Sequence, residues 1–208
     1  MYSLHVAQNL REFRDAFEIR HKAYSSASLL SRSEGPVFFD EYDALPNSRT
    51  FVLYKKSVAV ASTRTFHVGK ASETSPILET WGPEIKSFLG ESNSAFVEAN
   101  RLVVDPKRDA PSHGIFTRIV KAHFLRTRAE NARFFMAAVR EEHVSFYEKT
   151  FKMEPITGYK AFPGLNVKMR VLAFDCTALW DSIISRNAFW GISKSDIYAY
   201  ANQKPIYL

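Results

Sequence analysis

Apolar positions along the chain recur at two spacings. Phe13, Phe17, Arg20 and Tyr24 fall on one stripe at the helical repeat, so a helix is predicted from Asn9 to about Tyr24. Asn9 is its N-cap and Glu12 is placed to complete a capping box. Arg20 is then a cation on the apolar face. Its stem can pack while its head reaches water, or it can meet a buried partner. Next, FVLYK (51–55) and VAVASTRTFHV (58–68) read as strands, joined as a hairpin and carrying Arg64 in the second. A short helix from Pro83 to Leu89 ends at Gly90. FVEANRLVV (96–104) is a strand stopped by Pro106. GIFTRIVKAHFLRTRAE (114–130) is an amphipathic helix with Ile115, Ile119, Ala122 and Leu125 on its stripe. RFFMAAV (133–139) is a strand, HVSFYEKTF (143–151) a helix and VKMRVLAFD (167–175) a strand. The rest is mainly helical, with Trp180 and Trp190 as packing anchors.

The order helix, hairpin, strand, helix, strand, helix, strand predicts an α/β fold. The strand–helix–strand unit makes a parallel pair with a right-handed crossover. The hairpin makes the rest of the sheet antiparallel, and helices cover both faces. One domain is expected, with a core of about 1–175 and a C-terminal helical extension over 176–208. Residues 25–50, rich in Ser, Gly and Pro, form a long loop containing FFDEYDALPN. Loops of this length in compact domains are often functional.

Composition narrows the classes. Of 208 residues, 46% are hydrophobic and 17 are Phe, enough for a sizeable core. No apolar run reaches the roughly 20 residues that a membrane span needs. The opening MYSLHVAQNLREF has no signal-peptide core, so a cytoplasmic location is expected. Cys176 is the only cysteine, which excludes an internal disulfide and a cysteine-rich metal site. No metal ligands are expected. The formal charge of +6 favours acidic partners. No zinc-finger spacing, aromatic RNA-binding signature or basic block accompanies it, so nucleic acid is not an expected partner.

The stretch FVEANRLVVDP poses a question. Glu98 and Arg101 sit inside a run that wants burial. They can be working groups, or an ion pair stapling the strand to a neighbour. In a regular strand they point to opposite faces.

A strand ending VVDP, a turn, a helix, a strand and then FYEKTF resembles the core of the Gcn5-related N-acetyltransferase (GNAT) superfamily. FYEKTF is similar to its FYxKxGF signature, with Thr150 in the glycine's place. A narrower resemblance lies in Arg20 with Tyr24, Asp40 and Asp43 in DEYD, Arg64 in STRTF, and Glu98 and Arg101 in VEANRL. This order is similar to the signature shared by the acyl-homoserine-lactone synthases and the N-acyl amino acid synthases. PNS-x-TF at 46–51, and no Trp between Tyr24 and Asp40, look more like the second group.

The resemblance implies a GNAT-like mixed, mostly antiparallel sheet with a splayed parallel strand pair. It also implies a strand bulge, expected near Ala99–Asn100, which would return Glu98 and Arg101 to one face. The implied activity is transfer of a long-chain fatty acyl group from acyl carrier protein, or from acyl-coenzyme A, to the amine of an amino acid. No tightly bound cofactor is implied. Glu98 is the expected base, with Arg101 beside it, and Tyr147 the acid for the leaving sulfur. Arg20, Tyr24, Asp40, Asp43 and Arg64 would organise the acceptor site and pin the 25–50 loop over it. Val103, Val104, Arg108 and Gly114 would contact the acyl donor.

The turn PKRDAPSHGIF has one glycine, and Pro111 lacks an N–H, which makes a poor nest for a pyrophosphate. Lys107, Arg108, Arg118, Lys121, Arg126 and Arg128 offer charge to an acidic carrier protein instead. Phe116, Phe124, Phe134, Phe135, Phe146 and Phe151 are candidates for an acyl pocket or for plain core. Two further readings stay open: a lactone synthase using S-adenosylmethionine, and a non-catalytic relative that binds an acyl chain or a carrier protein.

Overall fold

The computed structural model describes residues 1–30, 35–92, 94–107 and 112–208. Its elements run β1 (Tyr2–Val6), α1 (Leu10–Ser26), β2 (Ser48–Lys55), β3 (Val58–Val68), α2 (Pro76–Leu89), β4 (Phe96–Val104), α3 (Ser112–Ala129) and β5 (Phe134–Val139). There follow α4 (Glu141–Phe151), β6 (Glu154–Pro155), β7 (Lys160–Ala161), β8 (Lys168–Asp175), α5 (Cys176–Arg186), α6 (Lys194–Ala201) and β9 (Ile206–Tyr207). The sheet order is β6-β8-β5-β4-β3-β2-β1-β9, with β7 also paired to β8. Every pairing is antiparallel except β4 with β5.

Helix α1 starts where Asn9 Oδ1 accepts from the Glu12 N–H at 3.0 Å. The Glu12 carboxylate returns one residue further back than a capping box requires, to the Gln8 N–H at 2.9 Å. Helices α1 and α2 cover one face of the sheet, where Ala16 packs on Val52 and Ile77 and Ile85 pack on Phe96 and Met136. Helix α3 covers the other, with Ile115, Ile119 and Leu125 against Phe51, Leu53 and Val60.

Three expectations change. Strands β1 and β9 join the sheet edge, although neither follows from the pattern. Leu4 and Val6 alternate inward, but five residues give too short a run to stand out. Helix α2 begins at Pro76, seven residues before the expected start. It is two helical pieces across a kink at Trp81 (φ −128°), so Pro83 sits in the second piece's first turn. The basic face of α3 is only partly solvated. Lys121 and Arg126 are buried, Lys121 pairing with Asp196 at 3.3 Å and Arg126 lying over the Tyr200 ring. The C-terminal segment thus covers part of the surface that charge alone offers to a carrier protein.

The bulge is present and slightly displaced. Ser62 faces Val103 and Arg64 faces Asn100, so β4 holds one extra residue at Arg101–Leu102. Arg101 takes the left-handed conformation at φ 53°, costly for a non-glycine residue. The parallel ladder runs from Phe96–Phe134 to Ala99–Ala137 and stops there. Beyond it the two strands part.

Candidate active site

Parity along β4 explains the odd charges. Before the bulge, Glu98 and Asn100 face the α1–α2 side and Val97 and Ala99 the α3 side. The extra residue resets the alternation, so Arg101 and Val103 stay on the α1 side, where Val103 packs on Ile19 and Tyr24. Glu98, Asn100 and Arg101 therefore share one face.

On that face the arginines and aspartates meet. Asp40 caps a single 3-10 turn over Glu41–Ala44, and Asp43 closes a capping box with it. This turn aims both carboxylates at the sheet. Arg20 Nη1 donates to Asp43 Oδ1 and Oδ2 at 2.8 and 3.0 Å, and Nη2 to Thr50 Oγ1 at 3.1 Å. Arg64 Nη1 bonds Asp40 Oδ1 and reaches Asp43 Oδ2 at 3.0 Å, while Nη2 bonds Asp40 Oδ2 at 3.2 Å. Its Nε donates to Asn100 Oδ1 at 3.0 Å. Arg101 Nη2 donates to Asp40 Oδ2 at 2.7 Å and to the Pro163 carbonyl at 3.0 Å. Arg20 and Arg64 are wholly buried. Burial alone would raise the Asp40 carboxyl, but hydrogen bonds and charge from Arg64 and Arg101 outweigh it and hold it below the usual carboxylate range.

Arg101 lies among Phe38, Phe162 and Tyr24, with its guanidinium 4.9, 5.5 and 5.8 Å from their centroids. Its Nε and Nη1 are buried and have no hydrogen-bond partner among the described residues. Gly164, at φ 72°, permits the close approach, since a Cβ there would stand 3.2 Å from Arg101 Nη2.

Glu98 and Arg101 do not form an ion pair. Glu98 is fully buried, accepting from the Ile77 N–H at 3.2 Å and from Asn100 Nδ2 at 2.6 Å. It supplies the cap at the start of α2, where the Ser75 side chain makes no capping bond. Burial pushes its carboxyl above the ordinary value, against hydrogen bonds to Asn100 and Ile77 and the charge of Arg64. It does not line the cavity described next. Asn100 does, held between Glu98 and Arg64.

A cavity of about 370 Å³ opens where β4 and β5 part. Asn100, Arg101, Val103 and Val104 line it from β4, and Ala137, Ala138 and Val139 from β5. Tyr24, Leu29, Phe162 and Leu165 bound the α1 side; Phe116, His123, Phe135, Phe146 and Tyr147 bound the α3 side. It therefore passes between the strands, charged at one end and apolar along most of its length. Tyr147 is half-buried, packed on Phe146 and Phe151, and its hydroxyl is pushed up to about 12 by burial. It stays protonated at neutral pH.

Of the residues singled out from the sequence, Tyr24, Arg101, Val103, Val104 and Tyr147 line this cavity. Arg20, Asp40, Asp43 and Arg64 form the cluster beside it. Gly114 is elsewhere, its carbonyl accepting from Arg118 Nη1 at 2.8 Å, and Arg108 lies outside the described residues. Phe116, Phe135 and Phe146 are lining, whereas Phe124, Phe134 and Phe151 are core. Sequence reasoning missed Asn100, His123, Thr50 and two of the rings around Arg101, Phe38 and Phe162. For Asn100 there was a signal: an amide between two charges in an apolar strand. Among the described residues no group of His, Cys, Asp and Glu is set to hold a metal, and no helix is long and apolar enough to cross a membrane.

Residues 15–175 match the family model described as N-acyl amino acid synthase FeeM. No curated protein matches the chain. The solved structure of FeeM, an N-acyl amino acid synthase from uncultured soil microbes, superimposes with a TM-score of 0.71 at 15% identity, over 88% of this chain and 94% of that one. BjaI, a CoA-dependent acyl-homoserine lactone synthase solved with SAM and isopentyl-CoA, gives 0.64 at 14%, over 97% and 99%. The AHL synthase LasI gives 0.59 at 9%, over 84% and 89%. At such identities the structural likeness speaks for the fold. The family match covers most of the chain, and the chain belongs to the FeeM family of N-acyl amino acid synthases, GNAT-type N-acyltransferases related to the acyl-homoserine-lactone synthases.

Proposed function

We propose that the protein moves a long-chain acyl group from acyl carrier protein to the amine of an amino acid, with the thioester lying where β4 and β5 part. The observation that carries this reading is the junction at the bulge. There an apolar passage and a caged guanidinium with unpaired N–H groups share one cavity. The acyl chain suits the passage. The acceptor's carboxylate suits Arg101 Nε and Nη1.

In this reading the amine attacks the thioester carbonyl and the oxyanion is met by backbone N–H groups of β4 beyond Ala99, freed by the splay. The carbon–sulfur bond then breaks, and Tyr147 gives its proton to the thiolate. Glu98, one hydrogen bond behind Asn100, acts as a positioning residue that fixes the Asn100 amide and the start of α2. The proton shed by the amine leaves to water in the cavity. The carrier protein, rather than coenzyme A, is supported by the glycine-poor turn before α3. The cations of α3 support it less than the sequence suggested, because two of them are covered.

The test is mass spectrometry of lipid extracts from an overexpressing host, with purified protein then offered acyl carrier protein and coenzyme A thioesters side by side. N-acyl amino acids with wild type, and a strong loss with Arg101→Ala, are expected. Homoserine lactones would instead assign the lactone chemistry, and extracts identical to those of the empty host would leave a binding protein. Equal use of the two donors would remove the carrier preference. For Glu98→Gln, the acidic limb of the pH–rate profile is expected to persist; its disappearance would make Glu98 the base after all.

A further inference from the structure

Among the polar groups around the cavity, Arg140 and His143 bond each other at 2.8 Å, and His123 is the buried one for which neither the charged cluster nor the acyl-transfer steps give a use. It lies on α3, is 4% exposed and lines the apolar side of the passage. Its ring stacks on Phe135 at 5.5 Å with 23° between planes. Nε2 is 2.8 Å from Thr63 Oγ1, and Thr63 Oγ1 donates to the Asn100 carbonyl at 3.1 Å. Thr63 has one hydroxyl proton and gives it to that carbonyl, so Nε2 must be the donor to Thr63. Nδ1 is then a bare acceptor, and among the described residues it has no partner. Burial lowers the imidazole pKa to about 3, so the ring stays neutral and Nδ1 stays without a proton.

His123 lines an otherwise largely apolar passage, where a hydroxyl on the chain could give Nδ1 a hydrogen bond that a plain alkyl chain cannot. The ring is two hydrogen bonds from the Asn100 carbonyl at the bulge, which places it near the thioester end of the passage. We propose that His123 is a specificity residue for the acyl donor, accepting through Nδ1 the hydroxyl of a 3-hydroxyacyl chain. The assignment rests on the acyl-transfer reading above for the placement of the thioester. It selects in both directions. A 3-hydroxyl donates and is favoured; a 3-oxo group presents a second acceptor and is disfavoured; an unsubstituted chain leaves Nδ1 unsatisfied. Thr63 takes part by holding the tautomer.

The test is calorimetric titration of the full chain with pantetheine analogues in which a methylene replaces the sulfur, so that no transfer occurs. Three analogues of equal length carry unsubstituted, 3-hydroxy and 3-oxo chains. Wild type is expected to bind the 3-hydroxy analogue about tenfold more tightly than the unsubstituted one, as one neutral hydrogen bond allows. The 3-oxo analogue should bind most weakly. His123→Phe, which keeps an aromatic ring against Phe135, should bind the three within about twofold of each other, as a protein with no chain hydrogen bond to lose. Thr63→Val, which frees the ring to carry its proton on Nδ1, should narrow the gap between 3-hydroxy and 3-oxo. Circular dichroism establishes that both variants fold. Equal binding of the three analogues by wild type, a preference that survives in His123→Phe, or no binding at all would overturn the assignment. Because no transfer is measured, failure to form N-acyl amino acids would defeat the acyl-transfer reading and leave this comparison intact.

Discussion

The two sides of β4 are built on opposite principles. On the α1 side the polar partners are fixed: three guanidiniums and two carboxylates share charge-assisted bonds with little solvent. On the α3 side the lining is mostly aromatic and aliphatic, with His123 buried in it and Arg140 and His143 also lining it. The first side is rigid because each charge is costly to leave unpaired. The second is permissive, because apolar contact specifies size more than orientation. In the function proposed above, one bulged strand would serve two substrates, a small polar acceptor on one side and a chain on the other, with Arg101 and Asn100 where the two sides meet in the cavity.

The rigidity of the charged side depends most on Asp40, which binds both Arg64 and Arg101. Asp40→Ala leaves two buried cations short of a partner and should cost about 3–5 kcal/mol in denaturant unfolding. A cost under about 1 kcal/mol would mean that the cluster relaxes into solvent and is not rigid. On the apolar side, Ala137→Leu fills part of the passage. Since each methylene is worth about 0.8 kcal/mol, losing room for three of them should lower kcat/KM for long-chain donors roughly fiftyfold, and for short ones much less. An equal loss at all lengths would place the chain elsewhere.

A smaller effect separates the two sides by pH. His123 titrates near 6.5 when unfolded and near 3 when folded, so the unfolded chain gains a proton first as pH falls. Stability should therefore be full above about pH 6.5 and decline on acidification, by up to about 1.4 kcal/mol per pH unit, until about pH 3. Asp40, held low, adds loss of the same sign, but only below the ordinary carboxylate range. His143, lowered by burial and by Arg140, adds a lesser part because it is exposed. Unfolding curves of wild type and His123→Phe between pH 4.5 and 7 isolate the His123 part. Parallel pH slopes for the two proteins would show that the ring is charged or hydrated in the folded state.

Much of the charged side was legible in the sequence. Arg20 in a helical stripe and Arg64 in a half-buried strand had to find partners, and DEYD in a long loop was the available source. Their order resembled a known signature, which marked them as one cluster without assigning the pairs. The apolar side was not legible in the same way, because Phe116 and Phe124 lie on one helix and nothing local distinguishes a lining ring from a core ring. Glu98 illustrates the limit. Its presence in an apolar strand marked it as important, but its distance from the cavity depends on α2 starting at Pro76. Pro83, which looks like a helix start, concealed that.

Chain order and periodicity by themselves determined the parallel pair and the hairpin, because alternation in a strand and burial of apolar faces are local constraints; the break in β4 was implied by the family resemblance. Tertiary structure alone decided where the break falls, which carboxylate each arginine meets, and that Asn100 rather than Glu98 faces the cavity. Those outcomes turn on the register of β3 against β4 and on packing between elements far apart in sequence. A one-residue shift there exchanges the two faces of the strand.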